Sequence, residues 1–189
     1  MATGDLTTLA NLKAYAPGLD AGGADTTYDA LLARLISSVS DQFRSETGTN
    51  PKQTTYTEVR DGNGLDGLSL LNWPVISVTS VKVDGSTIPQ RSTVADAGWV
   101  LTNSGRLKLV GYTFTAGVAN VEVVYSAGYQ TVPSDIEQAV IKMVALQFAD
   151  RKRIGLNSLS QAGGSVSFGD APVLAYWRSV VENYRLPAI

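Results

Sequence analysis

The chain contains no cysteine and no histidine. Disulfide frameworks, Cys/His zinc sites, thiol nucleophiles and every triad with imidazole as base are therefore excluded. Charge is also sparse: 17% of the 189 residues are charged, and the net charge is −2. That argues against a protein whose main task is clamping nucleic acid. Long apolar runs are missing as well. The most apolar segment, Ile136 to Ala149, is interrupted by Glu137 and Lys142 and falls well short of the ~20 residues of a bilayer span. Met1 to Leu9 has neither the basic start nor the apolar centre of a secretion signal. The expectation is a soluble chain that works or assembles in a cytoplasm. What is present is globular: 44% hydrophobic residues, with 18 Gly and 7 Pro. The length suffices for one well-buried domain, or one carrying a small inserted domain.

The order of elements reads helix, helix, several strands, helix, loop, helix. Asp5 is positioned to cap a short helix that puts Leu6, Leu9, Leu12 and Tyr15 on one stripe. Pro17, Gly18, Gly22 and Gly23 end it. Thr26 and Asp29 resemble a capping box. From Tyr28 the apolar positions Leu31, Leu32, Leu35, Ile36, Val39 and Phe43 trace one helical face, closing near Gly48 before Pro51. Strand chemistry follows. Thr54 to Arg60 alternates; Asp61-Gly62-Asn63-Gly64 signals a hairpin turn; Leu68 to Leu71 reads as the returning strand. Val75 to Val83 is a β-branched run ending in the Asp84-Gly85 turn. Strands around Trp99 to Leu101 and Arg106 to Val110 are joined by Asn103-Ser104-Gly105, and a last one spans Val121 to Tyr125. Short strands at such intervals predict a small antiparallel sandwich or barrel.

Pro133 and Ser134 open a third helix with Asp135 and Glu137 in its first turn. Ile136, Val140, Met143, Val144 and Phe148 share one face. Ala139, Ile141, Ala145 and Leu146 widen the apolar arc to most of the circumference. Such a helix is covered on several sides, either by its own monomer or by a neighbouring subunit. Gly155 to Ala171 is a Ser/Gly-rich linker, and Pro172 begins a last helix with Leu174, Trp177, Val181 and Tyr184. The fold class is therefore α+β: a frame of about four helices with an antiparallel β module inserted between the second and third. The segments are residues 1–50, 51–130, 131–153 and 154–189.

Charge divides unevenly. Residues 1–150 hold 10 Lys/Arg and 15 Asp/Glu, whereas residues 151–189 hold 5 and 2. An acidic body with a basic tail suggests docking by the tail. The plainer reading is that Arg151, Lys152 and Arg153 complement a helix C-terminus.

Motifs of chemistry fail on context. Gly62-x-Gly64-x-x-Gly67 matches a dinucleotide fingerprint only as a string, because strand and turn residues follow where a helix is needed. Asp61, Asn63 and Asp66 begin like a calcium loop, but Leu65, Asp66 and Asn72 occupy positions that need an acid or amide, a glycine and a glutamate. No carboxylate pair stands out. Trp73 and Trp99 read as packing residues. Trp177 follows a long linker and is a candidate aromatic anchor in a partner's pocket.

Several strings in chain order resemble the head–tail connector (adaptor, head completion) proteins of long-tailed bacteriophages. The first two helices carry Leu9-x-x-Leu12-Lys13-x-Tyr15 and Asp25-x-x-x-Asp29-x-Leu31-Leu32-x-x-Leu35-Ile36. Then come Tyr56-x-Glu58-x-x-Asp61-Gly62-x-Gly64 and Trp73-Pro74-Val75-x-x-Val78-x-x-Val81-x-Val83-Asp84-Gly85. Val123-x-Tyr125-x-Ala127-Gly128-Tyr129 leads into Val132-Pro133-x-Asp135-Ile136-x-x-Ala139, and Ser165-Val166-Ser167-Phe168-Gly169 follows.

The resemblance implies a non-enzymatic virion protein without cofactor, metal or membrane contact. It implies a ring, typically a dodecamer, beneath the portal protein, which extends the DNA channel and presents a platform for a stopper or tail-completion protein. Double-stranded DNA would pass without specific binding. On this reading Ile136, Val140, Met143, Val144 and Phe148 are the expected subunit interface. Arg151, Lys152, Arg153, Ser165, Val166, Ser167, Phe168, Trp177, Tyr184 and Arg185 form the expected portal-docking arm. Asp61, Gly62, Asn63 and Gly64 form the tip of the first hairpin. Removal of residues 154–189 is then expected to leave residues 1–150 folded. Alternatives are another neck or tail-completion protein, or a non-catalytic β-module binding domain.

Overall fold

A computed structural model of the chain describes residues 4–16, 26–151, 160–161, 164–165 and 171–185. The chain divides into two compact units, residues 1–49 with 132–189, and residues 50–131.

In the helical unit, α1 (Leu9–Tyr15) is capped by Thr8, whose hydroxyl accepts from the Asn11 N–H at 3.1 Å. Asp5 is not the cap. Its carboxylate accepts instead from the Ser37 hydroxyl at 2.8 Å, tying the entering chain to the next helix. That helix, α2 (Asp29–Thr47), has Tyr28 at its N-cap with no side-chain cap bond. The expected Thr26/Asp29 box is absent because Asp29 lies inside the first turn and pairs with Lys13 of α1 at 2.6 Å. Leu32, Ile36, Val39 and Phe43 are buried along one stripe, as their spacing dictates. The helix stops at Gly48, whose φ of 70° is the left-handed cap that only glycine adopts cheaply.

α3 (Ser134–Asp150) is the central helix: Ile136, Ala139, Val140, Ile141, Met143, Val144 and Phe148 are all buried. α4 (Ala171–Tyr184) adds Trp177, Val180 and Val181 to the same core, which Leu6 and Leu12 complete.

The β unit contains β1 (Thr54–Gly62), β2 (Gly67–Ser69), β3 (Val75–Val83), β4 (Ser86–Ile88), β5 (Gly98–Leu101), β6 (Arg106–Val110) and β7 (Gly117–Ala127). They form two antiparallel sheets, ordered β1-β7-β3-β4 and β2-β6-β5. Val81, Val83, Val121, Val123 and Tyr125 from the first sheet pack with Leu68, Trp99, Leu107 and Leu109 from the second. The result is a small antiparallel sandwich between the second and third helices, so the α+β reading holds. Asp84 and Gly85 have φ of 51° and 76°, the two left-handed residues a tight two-residue hairpin requires.

The first hairpin is different from the expected one. β1 pairs with β7, and β2 pairs with β6. The Asp61–Gly64 turn therefore carries the chain from one sheet to the other. The nine-residue β1 pairs along the eleven-residue β7; the three-residue β2 offers too few ladder positions. Within the stretch read as a linker, β8 (Ser160–Gln161) and β9 (Gly164–Ser165) pair antiparallel.

Candidate functional site

The apolar face assigned to a subunit seam lies inside the chain's own core. Ile136, Val140 and Val144 are fully covered, and Met143 and Phe148 nearly so. Their neighbours are Leu32, Ile36, Val39 and Phe43 of α2 and Trp177, Val180 and Val181 of α4. A side chain with no accessible area in the monomer has none to contribute to a partner. The seam expectation for these five residues is corrected accordingly.

Trp177 is corrected on the same ground. It is 3% exposed, its ring meets Phe43 edge-on at 5.6 Å between centroids, and its indole N–H donates to Glu46 Oε2 at 2.8 Å. It is an anchor, but for α4 against α2. Tyr184 is likewise internal to this unit, donating to the Asp135 carboxylate at 3.0 Å. Arg151 donates to the Phe148 carbonyl at 2.5 Å and lies over the Phe148 and Tyr28 rings. The plainer reading of its charge, as a helix-terminus partner, fits that geometry. Arg185 is exposed. Ser165 belongs to β9. Lys152, Arg153, Val166, Ser167 and Phe168 lie outside the described residues.

The Asp61–Gly64 turn sits in a closely bonded cluster of loops. Asp61 Oδ1 accepts from the Ala119 N–H at 2.7 Å. Asn120 is the hub: its Oδ1 accepts from the Gly62 N–H at 2.8 Å, and its Nδ2 donates to Asp84 and to the Thr115 carbonyl. Gly62 is required by close approach, since a Cβ there would lie 1.8 Å from the Thr115 oxygen. Asn63 closes its own turn, accepting from the Leu65 N–H and donating to the Gly67 carbonyl. The Gly64 N–H donates to the Phe114 carbonyl at 2.7 Å.

Sequence reasoning missed a buried polar network at Glu58. This carboxylate points into the sandwich from β1 and is only 7% exposed. Its Oε1 accepts from Arg60 at 2.9 Å. Its Oε2 accepts from the Tyr125 hydroxyl at 2.5 Å and from the Leu71 N–H at 3.2 Å. The Tyr125 oxygen in turn accepts from both the N–H and the amide of Asn72. Burial first, and the Glu58 carboxylate second, push the Tyr125 phenol from its ordinary 10.0 up to about 12. The network fixes the backbone that presents Leu71 and Trp73, which are 49% and 53% exposed. Trp73 was expected to pack and instead faces solvent. Only the alternation of β1 hinted that Glu58 faces inwards; the 67 residues separating it from Tyr125 concealed the pairing.

The helical unit carries an open cleft of about 270 Å³, lined by Tyr15, Lys142, Ala145, Leu146, Pro172 and Val173. Lys142 Nζ stands 4.0 Å above the Tyr176 ring. Among the described residues, no group of three or more acids is placed to hold a metal. Also among them, no helix is long and apolar enough to cross a membrane.

The head completion protein family matches residues 5–186, and the chain belongs to it. Membership makes it a structural component of the head–tail connector class. Among solved structures, the chain is similar to a chain in the neck of a native gene transfer agent particle computed with C12 symmetry. That match has 17% identity and a TM-score of 0.58, and covers 95% of this chain and 90% of the other. A second similarity is to the neck of the empty particle computed with C6 symmetry, at 22% identity and a TM-score of 0.58, with 94% and 90% covered. At these identities the likeness establishes the fold. No curated protein matches.

Proposed function

We propose that the chain is a head–tail adaptor that forms a ring, twelve copies in the virion neck, beneath the portal protein. The ring extends the channel through which DNA leaves and gives the next connector its platform. The observation that carries this reading is the family match over nearly the whole chain, joined to a fold shared with particle necks of twelvefold and sixfold symmetry. A closed ring needs a heterologous contact, with different patches of each copy meeting. The burial of the α3 face supports a contact made through exposed side chains instead. Trp177 holds α4 to the core, and residues 154–170 are our choice for the arm that reaches the portal. Many copies gripping one portal ring raise the effective concentration of each weak arm.

Mixing the chain with purified portal from the same particle tests the reading. The expected product is a portal with one added ring of density on its tail-facing side and a mass gain of twelve chains. A chain that stays free of portal and fractionates with detached tails would instead be a tail-completion protein.

A further inference from the structure

Two features stand out on the surface of the described residues. The first is the loop between β2 and β3. Leu71 and Trp73 leave about half of their surface in water, and Ile76 beyond them is 43% exposed. Neighbouring large apolar side chains rarely stand in solvent without a partner. The fold also spends a buried carboxylate on holding this loop: Glu58 accepts from the Leu71 N–H, and its partner Tyr125 accepts twice from Asn72. A buried carboxylate paired with Arg60 is a poor source of stability compared with apolar packing, so its use here is to hold a position. On the far side, the Trp73 indole lies against Gly105, where a Cβ would come within 3.0 Å of Nε1. The tryptophan is thus pre-set, which lowers the ordering cost of any contact it makes.

The second feature is the open cleft at α1, α3 and α4. Ala145, Leu146, Pro172 and Val173 give it an apolar floor, the half-exposed Tyr15 ring forms one side, and Lys142 supplies a cation at its edge. Apolar floor, aromatic side and cationic rim suit a large aromatic ring.

We infer that Trp73, flanked by Leu71, is a knob that seats in the α1–α3–α4 cleft of a second copy of this chain. The inference rests on the ring reading and names the contact that closes the ring. In a ring, each copy's knob seats in the socket of the next, a heterologous contact that closes by rotation. One buried aromatic covers only about 150–250 Å², against the ~800 Å² per partner of a stable interface. The contact is therefore weak in a free pair and becomes firm when a closed ring repeats it.

The absence of cysteine makes a clean test possible. Full-length Trp73→Cys and Val173→Cys chains are purified separately, mixed in equal amounts with purified portal, and oxidised. Each chain then carries a single thiol, so every disulfide formed joins two copies. The expected result is a 73–173 disulfide well above the share that random pairing gives, with 73–73 and 173–173 products suppressed. A second readout uses the wild type. Trp99 and Trp177 are buried, so Trp73 accounts for most acrylamide-quenchable fluorescence, and that quenching is expected to fall as copies assemble. A Val173→Glu chain is expected to keep it. If the wild type forms rings while the disulfide stays at the random share and quenching is unchanged, the knob is refuted and the ring survives. If the wild type forms no ring with portal and yields no disulfide, both readings fall. Protection of Trp73 that does not depend on chain concentration marks a contact within one chain and also overturns the inference.

Discussion

Tyr125 makes the clearest statement at the scale of a single residue. Its phenol is held up at about 12 in the folded chain, against an ordinary 10.0. The folded state therefore binds this proton more tightly than the unfolded state does. The stability so contributed is complete below pH 10, declines between pH 10 and about 12, and is gone above. Urea unfolding followed by circular dichroism across that window should show a falling midpoint for the wild type. Tyr125→Phe should be less stable at neutral pH, because Glu58 loses a donor, and should show a flatter decline, so the two curves converge as pH rises. Trp177 supports a second prediction. Trp177→Ala empties a core position and leaves Glu46 without its indole donor. The loss should be of the order of 3–5 kcal/mol, read from chemical denaturation of the helical unit.

Among elements, the β1–β7 pairing decides the build of the sandwich, and its end is closed by Gly62 and Asn120. Gly62→Ala would drive a methyl group into the Thr115 carbonyl. Overpacking of this kind costs roughly 1–3 kcal/mol, so the β unit should melt earlier while the helical unit is unchanged, a split that hydrogen exchange would resolve residue by residue. α2 and α3 were legible as helices because their apolar spacing is regular, and the Asp84-Gly85 hairpin was legible because its turn residues admit few alternatives. The pairing of β1 was not. A turn string reports that the chain reverses or redirects, whereas the choice of ladder partner depends on strands more than fifty residues away.

For the molecule as a whole, the last helix belongs with the first ones. Deletion of residues 154–189 was expected from sequence to leave a folded 1–150 core. The structure reverses that, since the deletion strips Trp177, Val180 and Val181 from the core that α2 and α3 share. The truncated chain should lose cooperative unfolding of its helical unit while the β unit, with its separate core, keeps its strand signal in circular dichroism. A test of the portal arm therefore needs replacement of residues 154–170 by a neutral linker of equal length, with α4 retained.

The sequence by itself determined the main helices and the longer strands, the insertion of the β module between two helical segments, and the family. These follow from periodicity, turn chemistry and the order of short strings, all of which are local. Only the tertiary structure decided which apolar faces were already used. Apolarity shows that a side chain must be covered, but not by what. Ile136, Val140, Met143, Val144, Phe148 and Trp177 turned out to be covered by their own chain. Trp73, which the sequence presented as ordinary packing, was left in water on a loop held by a buried carboxylate. Burial is a sum over distant segments, and so the outer surface of this protein emerged only when those segments were brought together.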